Sequence, residues 1–109
     1  MQVQKDKLVR VGATIFEAAG SAPEEALKVA LRLVDANLAG HDSHGVIRIP
    51  QYVEHVANGT LMPNQQAEVV ADLGAVTVLE GHFGYGQIVG EQAIDAAIAK
   101  ARTQGIGMT

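Results

Sequence analysis

A chain of 109 residues with a formal net charge of −4 and no cysteine excludes several classes at once. Its Lys and Arg residues are spread out, so it lacks the clustered positive charge that marks a nucleic-acid footprint. It has neither a disulfide framework nor a thiolate metal site, and no apolar run near the roughly 18 residues a bilayer span needs.

Hydrophobic residues make up 48% of the chain but aromatics only 4%. Ala, Val, Leu and Ile must therefore fill a modest core that is easily left incomplete. The polar start Met1-Gln2-Val3-Gln4-Lys5-Asp6-Lys7 lacks a signal-peptide apolar region, so a cytoplasmic protein is expected.

In chain order, residues 4–19 predict an amphipathic helix with Leu8, Val11, Ile15 and Ala19 as its buried stripe and Phe16 beside them. Gly12 either weakens that helix by about 1 kcal/mol relative to Ala or marks close packing, and Gly20 ends it. Ser21 and Glu24 have the spacing of a capping box for a second helix, with Pro23 in its first turn. Leu27, Ala30, Leu31, Val34 and Leu38 form its expected stripe. The short link predicts an antiparallel helical hairpin.

Gly40 ends the second helix. Residues 44–57 predict a third, with Val46, Ile49, Val53 and Val56 on one face and Pro50 either kinking it or beginning a new turn. Asn58-Gly59 closes it and residues 60–64 form a loop. Residues 67–71 and 75–79 then read as two strands whose short link Asp72-Leu73-Gly74 predicts a hairpin. The glycine-rich stretch Gly81-His82-Phe83-Gly84-Tyr85-Gly86 leads into a helix over 87–103. Val89, Ala93, Ala97 and Ala101 share one face of it, with Ile94 and Ile98 beside them. Ile106-Gly107-Met108-Thr109 reads as the start of a further strand. A two-stranded sheet is marginal in water, so the expectation is a fragment, or a chain that a partner completes.

Most of the chemistry falls in Gly40-His41-Asp42-Ser43-His44-Gly45-Val46-Ile47-Arg48-Ile49-Pro50. Asp42 or Ser43 can simply cap the helix expected near His44. The same placement suits catalysis. A histidine at a helix start feels the positive end of the dipole, which favours the neutral imidazole that exchanges a proton with a substrate oxygen. Ser43 would orient the ring or bind the same oxygen. Arg48 lies four residues on, so on a helix it shares a face with His44. Its fork suits a substrate carboxylate; a surface ion pair with Glu54 or Asp42 is the plainer alternative.

A metal centre is not expected. His41 and His44 are separated by turn chemistry, and His55 lies about 16 Å further along a straight helix. The Gly81–Gly86 stretch sits where phosphate loops occur, but its spacing is not the dinucleotide fingerprint. A tight turn setting the helix angle accounts for it better, with His82 and Tyr85 available to line a cleft. Tyr52 and His55 read as partly exposed helix residues.

With these residues in hand, the chain resembles the malate/L-lactate dehydrogenase family, which lacks a Rossmann fold. Ureidoglycolate and sulfolactate dehydrogenases, 2,3-diketo-gulonate reductases and piperideine-carboxylate reductases are among its members. The match runs along the whole chain. It is most specific at Asp42-Ser43-His44-Gly45-Val46-Ile47-Arg48-Ile49-Pro50-Gln51-Tyr52, and it continues through Gly84-x-Gly86-Gln87 to Gly105-Ile106-Gly107-Met108. The resemblance implies an oxidoreductase that moves hydride between NAD or NADP and C2 of a 2-hydroxy acid or its 2-oxo acid. It implies Ser43 and His44 as catalytic, Arg48 as holding the substrate carboxylate, and His44 and Gly45 as cofactor-facing. His41 is not carried over. Family chains are longer; they supply a second histidine and most of the cofactor site beyond this sequence, and often complete the site in a homodimer.

The resulting expectation is a mostly helical α+β chain. Residues 1–62 form a helical N-terminal domain carrying the motif. Residues 63–109 begin a central α/β nucleotide-binding domain of non-Rossmann type. Alone, the chain is expected to be inactive. The competing expectation is a truncated product or separate subunit that acts only by docking, without catalysis of its own. NAD against NADP, the particular 2-hydroxy acid, reaction direction, stereochemistry and oligomer size are not encoded in these residues.

Overall fold

Residues 1–109 are described by a computed structural model. The first two predicted helices form as α1 (Lys5–Ala18) and α2 (Pro23–Leu38). They run antiparallel: Lys5 at the start of α1 donates to Asp35 near the end of α2 at 3.0 Å.

The buried stripes differ from those expected. On α1 the buried residues are Val9, Gly12, Ala13 and Phe16, while Val11 and Ile15 are exposed. The face is turned because Gly12, not a leucine or valine, meets the neighbouring helix. A Cβ there would stand 3.1 Å from the Ala30 Cβ and 3.5 Å from the Ile49 Cδ1. Close backbone approach, the second of the two readings of Gly12, is the one the packing supports. On α2 the buried apolar residues are Ala26, Val29, Ala30, Leu33 and Val34, and Leu27 and Leu38 face outward.

The capping box does not form. The N-cap of α2 is Ala22, with Pro23 at the first helical position and no side-chain cap. Asn64 ties this end down instead. Its Oδ1 accepts the Ala22 N–H at 2.7 Å, its Nδ2 donates to the Gly20 carbonyl, and its own N–H donates to the Glu25 carboxylate. These bonds explain how Glu25 is tolerated as a buried residue.

Three helices end alike. After α1, Gly20 and Ser21 donate to the carbonyls of Glu17 and Phe16; after α2, Gly40 and His41 donate to those of Asn37 and Ala36. After α3 (Ile49–Ala57), Gly59 and Thr60 repeat the pattern on Val56 and His55. This is the Schellman arrangement, and its left-handed residue is the glycine each time. Pro50 lies in the first turn of α3, where its missing N–H costs nothing. Tyr52 is half-buried against Phe16, ring centroids 6.3 Å apart.

The chain divides into two compact units, Met1–Asn64 and Gln65–Thr109. The second holds β1 (Glu68–Leu73), β2 (Val76–Glu80) and α4 (Gly86–Gln104). The strands pair antiparallel through a two-residue turn at Gly74-Ala75, with an irregularity between Val69 and Ala71. Met108 forms a parallel bridge to Val76: Thr77 N–H donates to its carbonyl and its own N–H donates to Ala75, both at 2.8 Å. The strand expected to begin at Ile106 therefore makes its first pairing at Met108. On α4 the predicted face holds, since Val89, Ala93, Ala97 and Ala101 are half-buried while Ile94 and Ile98 are exposed.

Candidate active site

The polar cluster does not lie on an α-helix. Asp42–His44 and Val46–Arg48 form two short 3₁₀ turns, separated by an extended Gly45, and only then does α3 begin. The shared helical face expected for His44 and Arg48 is therefore absent. His44 closes the first turn instead of starting a helix, so the dipole argument does not apply to it.

The same residues nevertheless meet. Ser43 Oγ lies 3.0 Å from His44 Nδ1. Arg48 folds back so that Nε donates to the Ser43 carbonyl at 2.6 Å, and Nη1 donates to Gln51 Oε1 at 2.8 Å. These bonds, not an ion pair with Asp42 or Glu54, hold the guanidinium. Ser43 and His44 are exposed and Arg48 is half-buried. One short segment thus presents a hydroxyl and an imidazole in contact, with a cation held on the Ser43 backbone.

Gly45 is buried, and a Cβ there would overlap the Asn37 carboxamide. Asn37, near the end of α2, donates from Nδ2 to Asp42 Oδ1 at 2.6 Å and accepts the Val46 N–H on Oδ1 at 2.9 Å. Asn37 was not singled out in the sequence, and Gln51 stood there only as part of the family motif. The only local hint was an amide near a glycine-terminated helix end, which is a common surface pattern.

The other candidates separate from this cluster. His41 is exposed, and its carbonyl accepts the His44 N–H. No group of three or more His, Cys, Asp or Glu side chains is placed to hold a metal ion. In the glycine-rich stretch, His82 and Phe83 both have positive φ, and Gly84 N–H donates to the Gly81 carbonyl at 2.9 Å. This is a tight reversal of the type I′ kind. The His82 ring pairs with Glu68 at 2.9 Å, and the His82 backbone N–H donates to the Glu80 carboxylate. Tyr85 is fully buried, so the expectation that it lines a cleft is corrected. The bulk of a phenol ring placed it in the interior.

Comparisons with known proteins give the chain a family. The family model for malate/L-lactate dehydrogenase matches residues 3–109. Hydroxycarboxylate dehydrogenase B of Escherichia coli (strain K12) is 42% identical over 92 residues, covering 84% of this chain and 26% of that protein. L-sulfolactate dehydrogenase of Methanocaldococcus jannaschii is 39% identical over 87 residues, 79% of this chain and 25% of that one. Among solved structures, malate dehydrogenase from Pyrococcus horikoshii OT3 superposes with a TM-score of 0.91 at 34% identity, covering 98% of this chain and 31% of that one. The chain spans about a quarter of the length of the two curated relatives. With the family model matching residues 3–109, the chain belongs to the malate/L-lactate dehydrogenase family.

Proposed function

We propose that this chain forms one wall of the active site of a nicotinamide-dependent dehydrogenase interconverting a 2-hydroxy acid and its 2-oxo acid. The observation that carries the proposal is the Ser43–His44–Arg48 cluster, closed by the bonds from Ser43 Oγ to the imidazole and from Arg48 to the Ser43 carbonyl. The relatives named for malate and sulfolactate support it, because both of these are 2-hydroxy acids, and a third is named for a hydroxycarboxylate.

Each residue has a role that its geometry allows. Arg48 engages Nε and Nη1 within its own segment, which leaves the outer end of the fork to grip a carboxylate. His44 is exposed and would exchange a proton with the substrate oxygen at C2. Ser43 Oγ, bonded to Nδ1, would steady the ring and leave Nε2 as the nitrogen that exchanges the proton.

The donor set fits the polar end of a nicotinamide, because Ser43 and His44 present a hydroxyl and an imidazole at the surface. When bound, NAD or NADP supplies or accepts the hydride. Gly45 would face the cofactor with its backbone alone, since the Asn37 carboxamide occupies the space a side chain would need. In this reading residues 1–62 are the helical N-terminal domain and residues 63–109 open a central α/β domain of non-Rossmann type. The working enzyme is a cytoplasmic homodimer of longer chains.

The test is oxidation of NADH and NADPH by the intact enzyme with a panel of 2-oxo acids. Turnover is expected, with Arg48→Lys raising KM for the acid more than it lowers kcat. No turnover with any 2-oxo acid overturns the proposal. The exposed apolar residues Val69, Val70, Leu73 and Ile94 favour a second reading, in which this chain serves to dock other protein. Full activity of intact enzyme carrying His44→Ala together with Arg48→Ala would favour it.

A further inference from the structure

We propose that Asn37 is the positioning residue that holds Ser43 and His44 in their working geometry. The inference rests on the reading of His44 given above, and concerns a residue outside the motif. Asp42 and Val46 flank Ser43-His44-Gly45, and the Asn37 carboxamide binds both of them, donating to the Asp42 carboxylate and accepting the Val46 N–H.

The segment between has little to hold itself. Its internal backbone bonds are isolated turns: His44 N–H to the His41 carbonyl, Gly45 N–H to Asp42, and Arg48 N–H to Gly45. Such 3₁₀ turns have poor hydrogen-bond geometry and do not persist alone. A catalytic side chain needs placement to within about 0.5 Å, which comes from supporting groups on rigid elements. Asn37 is on such an element, since α2 is anchored by the fully buried Val29 and Leu33 and by Val34.

The chemistry of the site is specific for an amide. Aspartate keeps an acceptor for the Val46 N–H but sets a second carboxylate against Asp42. Leucine offers neither bond. Gly45 is the counterpart of this clamp, because any Cβ would push the carboxamide aside. Asn37 and Gly45 therefore act as a pair. A residue that only capped α2 would contribute stability without ordering the imidazole.

The experiment uses NMR on the 109-residue chain, comparing wild type, Asn37→Ala, Asn37→Asp and Gly45→Ala. The readouts are hydrogen exchange of the Val46 amide and the three-bond couplings that report the His44 χ1 rotamer. In Asn37→Ala the Val46 amide should exchange about tenfold faster and the His44 couplings should move to averaged values. Asn37→Asp should restore most of the Val46 protection, because the acceptor remains. Gly45→Ala should reproduce the loss with Asn37 still present, and it serves if Asn37→Ala does not fold. A single unchanged His44 rotamer in folded Asn37→Ala or folded Gly45→Ala overturns the proposal, whatever happens to melting temperature.

In the intact enzyme, Asn37→Ala should lower kcat by about tenfold to a hundredfold with a smaller change in KM. An unchanged kcat there, while His44→Ala is inactive, defeats Asn37 alone. Full activity of His44→Ala defeats the underlying reading of the site instead, and the NMR result still decides whether Asn37 orders the ring.

Discussion

The two units of the chain solve the problem of a small core in opposite ways. In residues 1–64 the paired helices α1 and α2 bury Phe16 together with Ala26, Val29, Ala30, Leu33 and Val34, all at or below 2% exposure. In residues 65–109 the buried side chains are Thr77, Tyr85 and Ile88, and apolar residues on β1, β2 and α4 stay exposed. The first unit is stabilised by side-chain burial. The second depends more on backbone pairing, a tight reversal and close approach at glycine. The candidate site grows from the first unit, which is the one able to hold a side chain still.

That contrast can be broken at several points. Phe16→Ala should cost about 3–5 kcal/mol, because it empties the centre of the first unit; a loss under about 1 kcal/mol by chemical denaturation would show that the core is loose. Gly107→Ala should follow at about 1–3 kcal/mol. A Cβ there would overlap the Ala97 carbonyl oxygen, so Met108 must leave Val76. Faster exchange at the Thr77 amide, whose bond goes to Met108, is the direct readout. Leu73→Lys, at a residue 68% exposed, should change stability by no more than about 0.5 kcal/mol; a larger loss would mean that this face is covered.

The smallest effect is electrostatic. The hydrogen bond from Lys100 Nζ, 2.5 Å from Asp72 Oδ1, holds the Asp72 carboxyl below its ordinary value of 3.8, helped by the Lys100 charge and the Gly74 N–H. A carboxyl lowered by folding adds stability above its unfolded value and loses it as pH falls through the folded one. The window here is therefore below pH 3.8. Because Asp72 is exposed, the gain is small and screened by salt. Lys100→Met should return the Asp72 titration, followed by carbon NMR, towards its ordinary position; an unmoved titration would rule out Lys100 as the cause.

Much of this was legible because it is local. Gly20, Gly40 and Gly59 marked helix ends through their left-handed conformation, Pro23 marked a helix start, and Gly74 marked the hairpin, whereas Pro50, read as a kink or new turn within a helix from 44, lies in the first turn of α3. What was missed is mostly long-range. Asn64 replaces Ser21 at the start of α2 from 42 residues away, and no local pattern announces that. The α1 stripe shifted by one position because Gly12 contributes to packing by having no side chain, which hydrophobic periodicity scores as a gap. In the site, Ser43, His44 and Arg48 were visible by residue type, but their spacing suggested a helix. Gly45 and the Asn37 carboxamide make two turns there instead, and Arg48 reaches the cluster through the Ser43 carbonyl.

The most direct test of the Ser43–His44–Arg48 cluster as an active-site wall is kcat of the intact enzyme carrying His44→Gln, measured with saturating cofactor and 2-oxo acid. A drop of at least about a hundredfold, with the fold intact by circular dichroism, is the expected result for a residue that moves a proton in the rate-limiting chemistry. An unchanged kcat would contradict it and return Asp42-Ser43-His44 to a purely structural turn.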